Sequence, residues 1–311
     1  MRVGIGAAAD VEATATRCRQ LGVDRVYVTL ASLPGFEENG YPDLGALRAF
    51  KGCLEEAGIA VPCANYWFAH WPTRSWNRSG SVNPDILLSR DRRCIDAMLR
   101  TVEVLGEAGI ESILHYVDIG KPEDAALEEE CWEGLVDIFG ELIPVAEAGG
   151  IALATHSLHR LLADGVRERA VEAGVRMEDY GTYRAEGWGG PFLVGTWREL
   201  RRLVNAVPSP SNGVTLCTGM DIPGGDVPAL VREFAGKIHF CQLRDHSERW
   251  PAGYEVPLGE GSMDLVAIVC ALKEIGYEGF VNLEHLGKPR YEGEDLEVKA
   301  LDYFKKLLAA S

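Results

Sequence analysis

The sequence predicts an α/β protein built as a single (β/α)8 TIM barrel that spans residues 1–311. Three observations predict it. Strand-like and helix-like stretches alternate along the whole chain, eight strands can be counted, and helix-patterned stretches repeatedly end at a glycine that an apolar run follows at once. Short continuous apolar runs between amphipathic stretches are typical of a buried parallel sheet. No linker divides the chain, so we expect one domain.

The strands are expected to be short and apolar, and several follow a glycine, as at Gly22 and Gly58, that ends the helix before them. They are predicted to begin near Arg2, Arg25, Ala60, Glu111, Ile151, Gly213, Lys237 and Gly279. The clearest amphipathic stretches predict helices at residues 92–107, 131–147, 226–235 and 263–275, with a last helix at 295–309 closing the outer ring.

A doubly wound open sheet is the alternative fold. Such a sheet normally carries a phosphate-binding glycine loop after its first strand. The local candidate here, the run GIGAAA at residues 4–9, lacks the third glycine and an acidic partner. The barrel is therefore favoured.

Two segments are longer than ordinary loops between a strand and a helix. They cover residues 66–91 and 159–195, and both are rich in aromatic residues and arginine. Because both follow strands, we expect them at the C-terminal rim, where barrel enzymes build their sites. They suit a lid over a polyhydroxylated, anionic substrate. The alternative is a pair of Ω-loops packed on their own aromatic side chains.

Composition excludes several classes of protein. The chain has 31 Lys+Arg against 47 Asp+Glu, a net charge of −16, without a basic cluster, so we expect no nucleic-acid partner. No apolar run approaches the roughly 20 residues of a membrane span, and no signal peptide is visible. Eight cysteines without a CxxC pair are typical of a reducing compartment. We expect a cytoplasmic protein with a small-molecule substrate; self-association into a homo-oligomer stays open.

Four side chains with metal-binding groups stand at the ends of consecutive predicted strands. His156 ends the fifth strand, Cys217 the sixth, Gln242 the seventh and Glu284 the eighth. Alone, His156 or Cys217 is more simply a structural residue, but a buried carboxylate such as that of Glu284 is costly without a partner. Since parallel strand ends meet at one rim, the four together predict a site for one divalent cation.

Strand parity sorts the other candidates near this rim. On the seventh strand, His239 and Cys241 point to the opposite side from Gln242 and Arg244, because successive side chains of a strand alternate between its two faces. His239 and Cys241 are therefore predicted to pack against the helices. His115, at the end of the fourth strand, is expected to face the rim and is a candidate substrate contact.

Three segments between residues 190 and 290 resemble the mannonate dehydratase family. The most specific is VPSPSNGVTLCTG at residues 207–219. The segment IHFCQLRD at 238–245 is similar to that family's HLRN motif, and EHLG at 284–287 is similar to its DHG motif. The resemblance implies a xylose-isomerase-like barrel that uses a divalent metal, usually manganese, to dehydrate D-mannonate to 2-keto-3-deoxygluconate.

The resemblance also implies roles for single residues. Cys217 matches the family's metal-binding cysteine, His156 matches the histidine of its HPDDP motif, Arg244 matches its arginine, and His285 matches the histidine of DHG. Gln242 replaces a family histidine at the metal. Mn²⁺ is the first choice of metal, with Fe²⁺, Co²⁺ and Mg²⁺ as alternatives.

Two further departures bear on the substrate. The sequence after His156 is SLHR rather than the acidic PDDP, and Glu284 stands in place of an aspartate. These changes affect the metal ligands and the substrate contacts together. We therefore expect a related dehydratase with another sugar-acid substrate.

Dehydration of an aldonate needs a base for the proton next to the carboxylate and an acid for the departing hydroxyl. His285, Tyr66 and Tyr116 are the candidates, with His285 first because the ordinary pKa of histidine lies near neutrality. Arg244 is a candidate both for catalysis and for holding the substrate carboxylate. The predicted substrate contacts are Arg160, His159, His115 and Arg244.

Two other functions remain open on the same scaffold. A metal-dependent sugar isomerase or epimerase also moves a proton beside a carbonyl, although His156 stands where such barrels commonly carry a carboxylate. A protein that binds a sugar acid or polyol without turning it over is the second alternative, because Gln242 is a weaker metal donor than histidine.

Overall fold

The computed structural model describes residues 1–67, 85–117, 119–157, 169, 172, 192–218, 226–248, 253–284, 286 and 293–310. Eight parallel strands close into one barrel, in which each strand lies beside its neighbours in chain order and the first strand pairs with the last. The barrel predicted from the sequence is therefore confirmed, and each strand begins within one residue of its predicted start. Of the predicted rim segments, the structure describes only the ends of 66–91 and, from 159–195, residues 169, 172 and 192–195.

The barrel strands are β1 Arg2–Gly6, β2 Arg25–Thr29, β3 Ala60–Trp67, β4 Ser112–Tyr116, β5 Ala152–His156, β6 Asn212–Cys217, β7 Ile238–Leu243 and β10 Phe280–Leu283. A small antiparallel hairpin, β8 Asp245–His246 and β9 Glu255–Val256, follows β7. The hairpin was not foreseen. It lies at the C-terminal end of the barrel, immediately after the strand that carries Gln242.

The described helices are α1 Val11–Leu21, α2 Phe36–Asn39, α3 Leu44–Glu56, α4 Asp85–Ser89, α5 Arg92–Glu107, α6 Ala125–Gly149, α7 Trp197–Ala206, α8 Val227–Glu233, α9 Leu265–Glu274 and α10 Leu296–Ala310. Glycines end α1 and α6 as expected: Gly22 has φ 67° and Gly150 has φ 66°. Such left-handed angles are unfavourable for residues with a Cβ atom. No described helix is long and apolar enough to cross a membrane.

Helix α6 begins at Ala125, six residues before its predicted start. The side chain of Asp124 accepts a hydrogen bond from the backbone N–H of Leu127 and thereby caps the helix. This cap satisfies one of the N–H groups that lack a partner at a helix start, which favours a helix that begins at Ala125.

Alternation along the strands divides the apolar side chains between two layers. Outward residues such as Ile113 and Val214 join the large core between barrel and helices. Inward residues form a separate cluster of Cys63, Leu114, Ala154, Phe240 and Phe280, with Tyr27 and Tyr116 packed against it. This cluster fills the middle of the barrel. The next inward residues towards the C-terminal end can therefore only lie above it, at the rim.

Candidate metal and sugar site

The four predicted metal ligands lie on the inner side of the barrel, above the aromatic cluster. His156 follows the inward Ala154 by two residues, and Gln242 follows the inward Phe240 by two. Register pairs Cys217 with Gln242, and Gln242 with Asn282, two residues before Glu284. His156, Cys217 and Gln242 are all at most 2% exposed. The structure thus brings the four onto one face, as strand alternation requires.

Three side chains in the described part of the chain hold Glu284. Its Oε1 accepts a hydrogen bond from Nη2 of Arg244 at 2.7 Å. Its Oε2 accepts from Nε2 of Gln242 at 2.6 Å and from Nδ2 of Asn282 at 3.2 Å. This network supplies the partner that a buried carboxylate needs.

Arg244 lies between two carboxylates. Its Nη1 donates to Oε1 of Glu255 at 3.0 Å, while its Nη2 contacts Glu284. The side chains of Arg244 and Glu255 are 2% and 1% exposed. We call Arg244, Glu255 and Glu284 the Arg244 cluster. Thr218 fixes the backbone at this point, since its hydroxyl donates to the carbonyl of Arg244 and accepts from its N–H.

Glu255 and Asn282 were missed in the sequence. Glu255 lies on the hairpin strand β9, eleven residues after Arg244, where no motif marks it. The sequence marks Glu255 only weakly, as an acidic residue between the apolar Tyr254 and Val256. Asn282 could have been found by parity, because it is inward two residues before Glu284.

His156 and Tyr116 lie ring against ring inside the barrel. Their centroids are 4.7 Å apart at an interplanar angle of 34°. Nδ1 of His156 contacts the backbone carbonyl of Ser157, which can only accept, so a hydrogen bond between them requires the proton on Nδ1. That tautomer leaves the Nε2 lone pair as the one suited to a metal ion.

The phenol of Tyr116 has a perturbed pKa. Burial, followed by the negative charges of Glu284 and Cys217, raises its pKa well above the ordinary value. The two charges act on Tyr116 because the groups converge on the same part of the barrel. Tyr116 is consequently a proton-holding phenol at neutral pH.

His115 lies on the other side of its strand from the expected one. It packs between β4 and the helices with Met98 and Leu142, and its Nε2 is 3.0 Å from the hydroxyl of Thr155. This placement corrects the expectation that His115 faces the rim. The reason is parity: Leu114 and Tyr116 take the inward positions on β4, so His115 between them points outward. Cys241, predicted to face the helices, does join the outer core.

Several predicted site residues fall outside the described part of the chain. His285, His159 and Arg160 are among them. The backbone of Tyr66 pairs with that of His115 in the barrel, but its side chain is not described.

The donors present fit a divalent cation in kind. Imidazole, thiolate, amide oxygen and carboxylate are all accepted by Mn²⁺, Fe²⁺ or Co²⁺. Oε1 of Gln242 is buried without a hydrogen-bond partner among the described residues, as expected of an oxygen kept for a ligand. Within the described ranges, however, no three His, Cys, Asp or Glu side chains are gathered closely enough to hold an ion as they stand. The amide oxygen of Gln242 lies outside that count.

Comparison with known proteins agrees with the barrel and with the sequence resemblance. A family model described as a xylose isomerase-like TIM barrel matches residues 15–307. A mannonate dehydratase of Brachyspira hyodysenteriae is 35% identical over 255 residues, which cover 75% of this chain and 63% of that protein. The chain spans less than two thirds of the length of the curated relatives it matches.

Two solved structures share the fold at low sequence identity. The mannonate dehydratase from Streptococcus suis serotype2 has a TM-score of 0.70 at 17% identity, covering 99% of this chain and 93% of that chain. The D-psicose 3-epimerase with D-tagatose from Clostridium cellulolyticum H10 has a TM-score of 0.66 at 17% identity, covering 99% of both chains.

Proposed function

The chain belongs to the xylose isomerase-like TIM barrel family, and we propose on that basis that it is a divalent-metal-dependent dehydratase that converts a sugar acid into a 2-keto-3-deoxy acid. One observation carries the proposal: His156, Cys217, Gln242 and Glu284 stand at the C-terminal ends of four neighbouring barrel strands, on the inner side of the barrel. Curated relatives named mannonate dehydratase support the reaction class.

The proposed metal is Mn²⁺ in first place, held by those four side chains. When bound, such a cation polarises the carboxylate and hydroxyl oxygens of the substrate and lowers the cost of the charge that develops there. Gln242 would turn its Oε1 towards the cation while its Nε2 keeps Glu284 in place.

The protein's own groups would move two protons. A base removes the proton on the carbon next to the carboxylate, the β-hydroxyl departs as water, and the resulting enol becomes the 2-keto acid. Tyr116 keeps its proton at neutral pH and lies against His156, and it is the proposed acid for the departing hydroxyl. His285 remains the predicted base.

The substrate is proposed to be an aldonate other than D-mannonate, because the SLHR sequence at residues 157–160 lacks the family's two acidic residues. A site that loses a buried hydrogen-bonding group discriminates less against analogues. The test is a panel of aldonates, with and without added Mn²⁺, with the 2-keto-3-deoxy product measured directly.

Activity on some aldonate above that on D-mannonate, dependent on metal and removed by Glu284→Ala, is the expected result. Equal or better turnover of D-mannonate would contradict the shifted substrate. Absence of water loss from every aldonate in the presence of metal would contradict the dehydratase.

One observation favours a second function, a metal-dependent isomerase or epimerase of a neutral sugar. Both terminal nitrogens of Arg244 already bind carboxylates. The guanidinium would have to leave Glu255 or Glu284 to hold a substrate carboxylate, which a neutral ketose would not require. Interconversion of ketoses without water loss would support this second function.

A further inference from the structure

Glu255 is a buried carboxylate that the proposed reaction does not use. We propose that Glu255 is a positioning residue: acting through Arg244, it sets how strongly Glu284 binds a divalent cation. This inference rests on the proposed function only for the presence of a cation at Glu284, not for the reaction. It follows from the hairpin that carries Glu255 and from the contacts of Arg244.

The hairpin is fixed to the barrel by Asp245, the neighbour of Arg244. The two oxygens of Asp245 accept four backbone hydrogen bonds, from His246 at 2.9 Å, Gly259 and Gly261 at 3.0 Å, and Met263 at 3.1 Å. A carboxylate that accepts this many N–H groups holds the loop in one path. Asp245 thus joins the start of the hairpin to residues 259–263, which follow its second strand.

Strand pairing then points Glu255 at the barrel. The register places Glu255 opposite His246 and Val256 opposite Asp245. Next to this pair, the N–H of Ser247 donates to the carbonyl of Tyr254 at 2.9 Å. The side chain of Glu255 reaches Arg244 with 1% of its area exposed. The backbone pairing of the hairpin therefore sets the position of Glu255.

The contacts of Arg244 couple Glu255 to Glu284. The guanidinium divides its hydrogen bonds between the two carboxylates, at 3.0 Å and 2.7 Å. Where water is excluded, such charges act on one another with little screening. If Glu255 lost its charge, the whole positive charge of Arg244 would bear on Glu284 and compete with a cation for the same carboxylate.

The test is the affinity of the full-length protein for Mn²⁺ alone, measured by isothermal titration calorimetry. Glu255→Gln keeps the size and one hydrogen-bond acceptor and removes the charge. We expect its Kd for Mn²⁺ to rise by about 10–100-fold, the usual effect of residues that support metal ligands.

The matched control is Glu248→Gln, the same substitution in the same hairpin. Glu248 is 59% exposed, and its ion pair with Arg169 measures 3.9 Å. We expect its Kd to stay at the wild-type value. Equal Kd values for Glu255→Gln and wild type, or no Mn²⁺ binding by wild type, would overturn the inference.

A second variant separates an effect through Arg244 from the direct field of Glu255. In an Arg244→Gln background, Glu255→Gln is expected to change the Kd by less than about threefold, because the coupling partner is gone. A change as large as in the wild type would overturn the role of Arg244. Melting temperatures identify any variant that fails to fold, in which case the comparison of Glu255→Gln with Glu248→Gln decides.

The outcomes also separate this inference from the proposed function. Weaker Mn²⁺ binding by Glu255→Gln in a protein that dehydrates no aldonate would support the inference and remove the dehydratase. Dehydratase activity in a protein whose Glu255→Gln variant binds Mn²⁺ as tightly as wild type would support the dehydratase and overturn the inference.

Discussion

At the scale of single residues, two cysteines on neighbouring strands have opposite surroundings. Cys217 and Cys241 are both 0% exposed. Cys217 faces the barrel interior at the level of Gln242, whereas Cys241 packs in the outer core. The two cysteines are therefore equally buried but lie on opposite sides of the sheet. Only Cys217 lies on the side that carries the proposed metal ligands.

We predict that Cys217→Ala weakens Mn²⁺ binding by at least about tenfold, whereas Cys241→Ala leaves it unchanged. Each substitution removes one buried sulfur, so each should lower the free energy of unfolding by about 1 kcal/mol. Calorimetric titration with Mn²⁺ and urea unfolding of the two variants check this. Similar Mn²⁺ affinities in both variants would remove Cys217 from the ligand set.

The buried His115 makes the free energy of unfolding depend on pH. Burial, and to a lesser degree the electrostatic influence of the nearby imidazole of His156, lowers the pKa of His115 to about 3. In the unfolded chain the imidazole of His115 takes up a proton below about pH 6.5, whereas in the folded protein it stays neutral down to about pH 3. The free energy of unfolding is therefore highest above pH 6.5 and falls as the pH is lowered from 6.5 towards 3.

We predict that wild type loses up to about 1.4 kcal/mol per pH unit below pH 6 relative to His115→Leu, which has no proton to bind at this position. Urea unfolding of both proteins between pH 8 and about pH 5 measures the difference. A difference that does not vary with pH would mean that His115 is charged in the folded protein.

At the scale of elements, helix α6 shows how closely the outer ring is packed. A Cβ atom on Gly134 would lie 2.3 Å from the carbonyl oxygen of Leu87, on α4. A Cβ atom on Gly140, in the same helix, would meet nothing within 4 Å. Gly134 thus permits the close approach of two helices, while Gly140 has no such role.

We predict opposite effects for alanine at these two positions. Gly140→Ala should raise the free energy of unfolding by about 0.5–1 kcal/mol, because alanine is the better helix former. Gly134→Ala should lower it, by about 1–3 kcal/mol, because the added methyl group forces α4 away from α6. Thermal and urea unfolding of the pair test this; stabilisation by both substitutions would contradict the contact with Leu87.

At the scale of the whole molecule, the barrel closes through β1 and β10, strands from the two ends of the chain. Arg2 pairs with Phe280 and Gly4 with Asn282. A cation bound by residues of β5, β6, β7 and the end of β10 would join strands that are far apart in sequence. Its binding should therefore stabilise the fold as a unit.

We predict that Mn²⁺ raises the melting temperature and that EDTA reverses the rise. A ligand that binds only the folded state at 100 times its Kd adds about 2.7 kcal/mol. Differential scanning calorimetry with Mn²⁺, with EDTA and with the Glu284→Ala variant measures the effect. A rise that persists in Glu284→Ala would place the Mn²⁺ elsewhere in the molecule.

The sequence by itself determined the barrel and the inward positions of His156, Cys217 and Gln242. Both follow from local patterns: the glycine that ends a helix before the next strand, and the period of two along each strand. The start of α6 could have been found from the cap residue Asp124. His115 was misplaced although parity with Leu114 on the same strand gives its side.

Only the tertiary structure decided what surrounds Glu284. The pairing of Arg244 with Glu255 depends on the path of the hairpin, which Asp245 fixes through backbone hydrogen bonds to residues 14 to 18 positions further on. Contacts of this kind leave no periodic trace in the sequence, since they depend on where a loop folds back and not on which residue follows which. The commitment of both ends of the Arg244 guanidinium to protein carboxylates was therefore visible only in the folded chain.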